Sequence, residues 1–238
     1  VVDFLALFQS GIKVTYLERT NRLTIMKAMK KGKITSVALV PQALRLLMTG
    51  IEQEVERQGK QKIWLMLNQI GSMVPVWARR LLFRQVHKKF GGNLLFFGCG
   101  SAPLNLKLAQ KWENLGIEIF EGYGATETTA VLTINTSSAK KLGSVGKVLP
   151  AIEVRVNPYV SSYSTPGVKY VHTPGVSGEI VARGPNISPG YFEDEEKTKA
   201  AFIVYPDKGG RWYRTGDVGE FDENGFLYIT GREAFRIV

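Results

Sequence analysis

The chain has 238 residues, 44% of them apolar and 22% charged, a balance that fits a globular protein and excludes a disordered or collagen-like one. A single cysteine, Cys99, with only His87 and His172 beside it, excludes an internal disulfide and a Cys/His zinc site, and argues against Ser-His-Asp or Cys-His catalysis. The net charge of +10 is lopsided: residues 1–142 hold 20 Lys/Arg against 9 Asp/Glu, and residues 143–238 hold 11 against 12. A basic half of this kind suits nucleic acid, anionic lipid or a polyanionic small molecule; it is equally what a solvated surface with its acidic counterpart elsewhere would show. The opening Val1-Val2-Asp3 carries neither a basic leader nor a cleavage pattern, so a secretory leader is not expected. The Asn-x-Ser/Thr matches at Asn135 and Asn186 are accordingly read as coincidental.

In chain order, Ser36-Val37-Ala38-Leu39-Val40 predicts a buried strand, and Pro41 suits a first helical position. Leu44, Leu47, Met48, Ile51 and Val55 then keep helical spacing until Gly59. The most apolar window, residues 63–78, contains Asn68, Gln69, Gly71, Ser72 and Pro75 and is too short and polar to span a bilayer. A helix is expected over roughly 76–90, ending at Gly91-Gly92, then a strand at 94–97 and a loop, Gly98-Cys99-Gly100-Ser101-Ala102-Pro103. Leu108, Ala109, Trp112 and Leu115 predict a further helix, capped at Gly116. A strand at 117–120 meets a second glycine-rich loop. Repeated strand–loop–helix order implies a parallel sheet with packed helices. After about 143 short strands take over, at 152–156, 169–171, 179–183, 212–214 and 226–229. Asp222-Glu223-Asn224-Gly225 marks a hairpin turn, and residues 194–202 a short helical exception with Glu195 and Lys199 at i, i+4.

Ligands of open α/β sheets gather outside the carboxyl ends of the strands, where both glycine-rich loops fall. The second reads Glu121-Gly122-Tyr123-Gly124-Ala125-Thr126-Glu127-Thr128-Thr129. Its glycines permit close backbone approach, Tyr123 offers a ring, Thr126 a hydroxyl and Glu127 a hard oxygen for magnesium. No Gly-x-x-x-x-Gly-Lys-Ser/Thr occurs, and Glu127 stands where a dinucleotide fingerprint needs its third glycine. On these residues alone, either a phosphate- or nucleotide-sized ligand or a structural turn fits the loop.

Tyr123-Gly124-Ala125-Thr126-Glu127 resembles the Tyr-Gly-x-Thr-Glu motif of the adenylate-forming, AMP-binding enzymes. Further motifs follow in that family's order. Residues Gly143-Ser144-Val145-Gly146-Lys147-Val148-Leu149-Pro150 resemble the opening of its β-rich subdomain. Gly178-Glu179-Ile180, Gly184-Pro185, Gly190-Tyr191, Tyr213-Arg214-Thr215-Gly216-Asp217 and Gly231-Arg232 come after it. Phe90-Gly91-Gly92 leading to Gly100-Ser101-Ala102-Pro103-Leu104 is similar to the long-chain fatty acyl-CoA synthetase branch.

The resemblance implies an α/β portion of a large N-terminal domain over 1–142, a small, mostly antiparallel, barrel-like β-rich subdomain over 143–230, and the start of a hinge at 231–238. It implies ATP, Mg2+ and coenzyme A as cofactors: a carboxylate, such as a long-chain fatty acid, becomes an acyl-adenylate and then a thioester of CoA or of acyl carrier protein. Tyr123 would stack on adenine, in a loop with Gly122, Gly124 and Ala125, and Gly100, Ser101 and Ala102 would form the facing wall. Thr126 would donate to the α-phosphate, Glu127 would hold the metal, Asp217 would accept both ribose hydroxyls, and Arg232 would reach ribose or phosphate. Thr126 and Glu127 are thus the catalytic candidates, and Cys99 is read as a small buried hydrophobe or pocket liner without a nucleophilic role.

Departures go with the match. The family's lysine-bearing phosphate loop has no counterpart before Tyr123, and Ala234 and Phe235 stand in the hinge where acidic or basic residues are common. The sequence is therefore read as an interior segment that would not complete a turnover alone. A different class of function, a non-catalytic basic module for nucleotide or membrane surface, is suggested by Trp64, Trp77, Arg79, Arg80, Lys88 and Lys89. Nucleic acid is not an expected partner, since no recognition pattern accompanies the basic residues. The expected location is cytoplasmic or peripheral at a membrane.

Overall fold

The computed structural model describes residues 9–17, 21–158, 174–204 and 210–232. Two compact units divide the chain, Val1–Phe120 and Glu121–Val238.

The first unit begins with α1 (Arg22–Gly32), whose N-cap Asn21 accepts from the Thr24 N–H at 2.9 Å. After β1 (Ser36–Leu39) comes α2 (Pro41–Arg57), with Pro41 in its first turn and Leu44, Leu47, Met48 and Ile51 buried at the spacing the sequence predicts. Three helices follow, α3 (Gln61–Met73), α4 (Val76–Leu82) and α5 (Arg84–Lys89). The single helix expected over 76–90 is therefore two. The break falls at Phe83, whose φ of −101° and ψ of 27° leave the helical range while its ring packs edge-on against Trp64 at 5.6 Å. His87 is buried in α5 with Nε2 2.7 Å from the Leu115 carbonyl oxygen, so it serves packing; burial holds its imidazole below the ordinary range.

β2 (Phe96–Cys99) runs parallel to β1, with Ser36 opposite Phe96 and Leu39 opposite Cys99. β1 was expected to be buried, but Ser36 and Ala38 are exposed and Val37 and Leu39 half-buried. It is the end strand of its sheet among the described residues, paired on one side alone, which leaves it less covered than a central strand. α6 (Leu106–Asn114) starts at Asn105, whose side chain accepts from the Leu108 N–H at 3.2 Å. Its Trp112 is fully buried and meets Phe90 and Phe97 edge-on, with centroids 5.8 and 5.0 Å away. Aromatic pairs of this geometry add about 0.5–1.5 kcal/mol to the area they bury. No helix among the described residues is long and apolar enough to cross a membrane.

β3 (Glu118–Tyr123) is longer than the strand expected at 117–120 and takes in the first residues of the glycine-rich loop. Within the second unit its end pairs antiparallel with β4 (Thr133–Ile134), Gly122 opposite Ile134 and Tyr123 opposite Thr133. β4 pairs in turn with β5 (Lys147–Val148).

The rest of the second unit is β6 (Glu153–Pro158), β7 (Gly178–Arg183), α7 (Glu195–Ala201), β8 (Phe202–Val204), β9 (Arg211–Phe221) and β10 (Leu227–Arg232). The strands form an antiparallel sheet in the order β10-β9-β7-β6, with β8 also pairing β9. Alternate residues Val154, Val156, Ile180 and Ala182 bury one face against Leu132, Phe221 and Leu227. At the expected hairpin, Asp222 accepts the N–H groups of Asn224 and Phe226 on Oδ1, both at 2.9 Å. The strand predicted at 169–171 and His172 lie outside the described residues. Parallel strands with packed helices followed by an antiparallel sheet is the α/β architecture the sequence implies.

Candidate functional site

The glycine-rich turn after β3 is closed by its own backbone. A Cβ at Gly124 would stand 2.2 Å from the Ala130 carbonyl oxygen, so only glycine lets residues 124 and 130 approach this closely. Thr128, fully buried, accepts the Ala125 N–H at 2.8 Å and donates to the Ala125 carbonyl at 3.0 Å. Residues 126–128 make one 3-10 turn, and Thr129 and Ala130 follow in the left-handed region. Asn186 clamps this turn from below: its Nδ2 donates to the Thr128 carbonyl (2.7 Å), and its own carbonyl accepts from Thr129 Oγ1 (2.7 Å). Ser188 N–H donates to the Glu127 carbonyl at 2.7 Å. Asn186 was set aside in the sequence as a coincidental glycosylation match; it is a structural residue of the turn. Asn135 is another, buried with Nδ2 donating to the Ser144 carbonyl at 2.7 Å.

Within that frame Thr126 is exposed and Glu127 half-buried. The Tyr191 hydroxyl donates to Glu127 Oε1 at 2.7 Å. Burial pushes the Glu127 carboxyl up, but hydrogen bonds from Tyr191 and Tyr213 and the charge of Lys197 outweigh it and hold the group below the usual carboxylate range. Glu127 is thus an ionised, oriented carboxylate at neutral pH. Burial and the nearby Glu127 charge push the Tyr213 hydroxyl far up; in Tyr191 burial and its bond to Glu127 act the same way. Both phenols stay donors. Sequence reasoning placed Tyr191 and Tyr213 inside motifs without giving either a role, because their meeting with Glu127 is tertiary.

Tyr123, Asp217 and Arg232 come together as a second cluster. The Tyr123 hydroxyl donates to Asp217 Oδ2 at 2.7 Å, and Arg232 Nε lies 3.4 Å from Asp217 Oδ1. Asp217 and Arg232 are register partners across β9 and β10. β9 bulges at Gly216 (φ 69°), where Thr215 Oγ1 accepts the Asp217 N–H at 3.1 Å and donates to the Ile180 carbonyl at 2.8 Å. Just before the bulge, Arg214 grips the buried Glu179 with three N–H···O contacts of 2.8–3.1 Å, anchoring β9 on β7. Burial, then the Asp217 charge, keep the Tyr123 phenol protonated far above the usual tyrosine range. An ionised carboxylate has about four lone-pair directions, so Asp217 retains acceptor capacity beyond these two neighbours.

Gly100, Ser101 and Ala102 belong to the first unit and follow β2; Gly100 is half-buried, the other two are exposed, and Ser101 adopts φ 67°. Gly122 is the strand residue opposite Ile134, and Ala125 begins the turn. Among the described residues no three His, Cys, Asp or Glu side chains gather to hold a metal. Glu127 is the carboxylate the sequence offers to magnesium, a cation that commonly takes most of its oxygens from phosphate and water.

The fold is that of the adenylate-forming enzymes. A match to the AMP-binding enzymes covers residues 1–192, and the chain belongs to that family. It is 29% identical to a long-chain-fatty-acid–CoA ligase of Mycobacterium bovis, over 98% of this chain and 37% of that protein. With a 2-succinylbenzoate–CoA ligase of Bacillus pumilus the identity is 35%, over 70% of this chain and 31% of that one. Among solved structures, ATP-bound MatB from Rhodopseudomonas palustris is similar with a TM-score of 0.64 and 27% identity, covering 91% of this chain and 34% of that one. The chain spans about a third of the length of the curated relatives it matches.

Proposed function

We propose that this chain carries the adenosine-recognition part of an ATP-dependent acid–thiol ligase. The observation that supports it best is the joining of Tyr123, Asp217 and Arg232 in one hydrogen-bonded cluster. In this reading residues 1–142 are the α/β portion of the large adenylation domain, 143–230 its β-rich subdomain, and 231–238 the start of the hinge. Tyr123 lies against adenine with Gly122, Gly124 and Ala125, and the family resemblance assigns Gly100, Ser101 and Ala102 to nucleotide binding as well. Asp217 accepts from the ribose hydroxyls, and Arg232 reaches ribose or phosphate.

The chemistry asks for little acid–base work. A substrate carboxylate oxygen attacks the α-phosphorus of ATP, the bond to pyrophosphate breaks, and a thiol then takes the acyl group as AMP leaves. Thr126, exposed at the start of its turn, donates to the α-phosphate, and ionised Glu127 holds Mg2+. The metal supplies charge neutralisation on the phosphates. The remaining contribution is positioning and electrostatics. That suits a chain in which His87 is locked in packing. A long-chain fatty acid is the substrate we propose; the CoA-ligase relatives act, by their names, on different acids. The acceptor thiol is coenzyme A or acyl carrier protein, and the enzyme works in the cytoplasm, peripherally at a membrane.

Asp217→Ala in the polypeptide as it naturally occurs is expected to weaken ATP binding at least about tenfold, because hydrogen bonds to a charged acceptor contribute roughly 1.5–3 kcal/mol each. Calorimetric titration with ATP reads it, beside Tyr123→Phe, which frees Asp217 of one neighbour but leaves its charge. Unchanged ATP affinity in Asp217→Ala, with the fold intact by circular dichroism, removes Asp217 from the nucleotide site.

A further inference from the structure

Helices α3 and α4 present their apolar residues to solvent. On α3 the outward side chains Ile63, Leu65, Met66 and Met73 are 53, 67, 53 and 82% exposed; on α4 Trp77 and Leu81 are 68 and 65% exposed. An ordinary surface helix does the reverse. Nor can α3 roll to hide this face. A Cβ at Gly71 would meet the Asn114 carbonyl oxygen at 2.6 Å, so α3 is seated tightly on α6 through its small residue, with Trp64 packed on Phe83 on the same inner side. α4 is pinned as firmly: Arg79 donates to the carbonyls of Val74 (2.7 Å) and Glu113 (3.0 Å), and Arg80 to those of Leu94 (2.8 Å) and Gly116 (3.2 Å). These two arginines, which the sequence offered as membrane-facing cations, are structural instead.

Charge names the occupant. Residues 60–90 contain seven Lys/Arg and no Asp or Glu. With Arg79 and Arg80 turned inward, Lys62 on α3 and Arg84 and Lys88 on α5 remain exposed cations of the same stretch. A protein partner would need an apolar surface edged with acid. A bilayer containing anionic phospholipid meets both demands at once: acyl chains for Leu65, Met66 and Met73, the interfacial zone for Trp77, and headgroup phosphates for the three cations.

We infer that the outward apolar residues of α3 and α4, together with the exposed cations Lys62, Arg84 and Lys88 of the same acid-free stretch, dock the protein on anionic phospholipid membranes. This gives a surface to the peripheral contact proposed above and does not depend on the enzymatic reading. It also gives the basic half a use that needs no nucleic acid.

Vesicle co-sedimentation of the polypeptide as it naturally occurs, with phosphatidylcholine alone and with added phosphatidylglycerol, tests it. Binding is expected only with phosphatidylglycerol and should weaken as salt rises. The triple change Leu65→Gln, Met73→Gln and Trp77→Gln should lower partition at least about tenfold at constant charge. Lys62→Gln with Arg84→Gln and Lys88→Gln should abolish the preference for phosphatidylglycerol. All six positions are exposed, so the variants should melt like the parent, and ATP binding should be unchanged in both. Absence of sedimentation with anionic vesicles, equal binding of the parent and the apolar triple variant, or a self-associated dimer that ignores vesicles would each overturn the inference.

Discussion

Glu121→Gln should remove a fall in stability that the parent protein shows between about pH 4.5 and 7. Glu121 lies on β3, 7% exposed, with Oε1 buried and without a hydrogen-bond partner. Burial pushes its carboxyl up from 4.5 to about 7, against the opposing effect of the Gly143 N–H. The sign follows from proton counts. Below pH 4.5 the carboxyl is protonated in both states. As pH rises past 4.5 the unfolded chain releases its proton while the folded one keeps it until about 7, so unfolding gains ground throughout the window and no further above it. At 1.36 kcal/mol per pKa unit the accumulated loss is on the order of 3 kcal/mol. Glutamine keeps the shape and cannot ionise. Urea unfolding at pH 5 and pH 8 should therefore show a clear drop for the parent and a much smaller one for the variant. Parallel losses in the two proteins would mean that Glu121 is ionised in the fold.

Glu121 illustrates what the sequence hides. It reads as the acidic first residue of a glycine-rich loop, because Gly122 and Gly124 flank Tyr123 and signal irregular backbone. Pairing with β4 turns Gly122 and Tyr123 into strand, and the pleat then decides that Glu121 faces inward. Elements whose apolar residues face the core were legible: α2 through Leu44, Leu47, Met48 and Ile51, and β6 through the alternation of Val154 and Val156 with Glu153 and Arg155. α3 was not, because its seating on α6 uses Gly71 while its large apolar residues point outward, the inverse of the pattern that periodicity detects. The candidate site divides in the same way. Motifs delivered Tyr123, Thr126, Glu127, Asp217 and Arg232 as names in order. That Tyr191 would orient Glu127 and Asn186 would clamp the turn depended on contacts of 64 and 58 residues' separation, which no local pattern encodes.

Gly146→Ala should be the most damaging single-methyl change in the second unit. Gly146 stands at φ 91°, where an L side chain is strained, and a Cβ there would lie 1.9 Å from the Ile134 carbonyl carbon and 2.2 Å from both Ile134 O and Asn135 N. All three are backbone atoms, so no rotamer change can make room. The backbone on either side is also held. Val145 N–H donates to the Leu227 carbonyl at 2.8 Å, Leu227 N–H returns to the Gly146 carbonyl at 3.0 Å, and Asn135 ties to Ser144 nearby. Relief requires moving β4 or breaking the exchange with Leu227, which is fully buried in the core of the sheet. Backbone clash, left-handed strain and lost buried hydrogen bonds act together here, so a loss of more than about 4 kcal/mol is expected. Such a loss can exceed the whole margin of a domain, in which case the chain will be recovered unfolded or aggregated. Gly231→Ala is the control, since its added Cβ meets no atom within 4 Å and its change should stay within about 0.5 kcal/mol. Thermal and urea unfolding of the two variants beside the parent decide the matter. Equal stability of Gly146→Ala and Gly231→Ala would mean that residues 144–148 do not pass β4 as closely as described, and that the glycine at 146 is there for another reason.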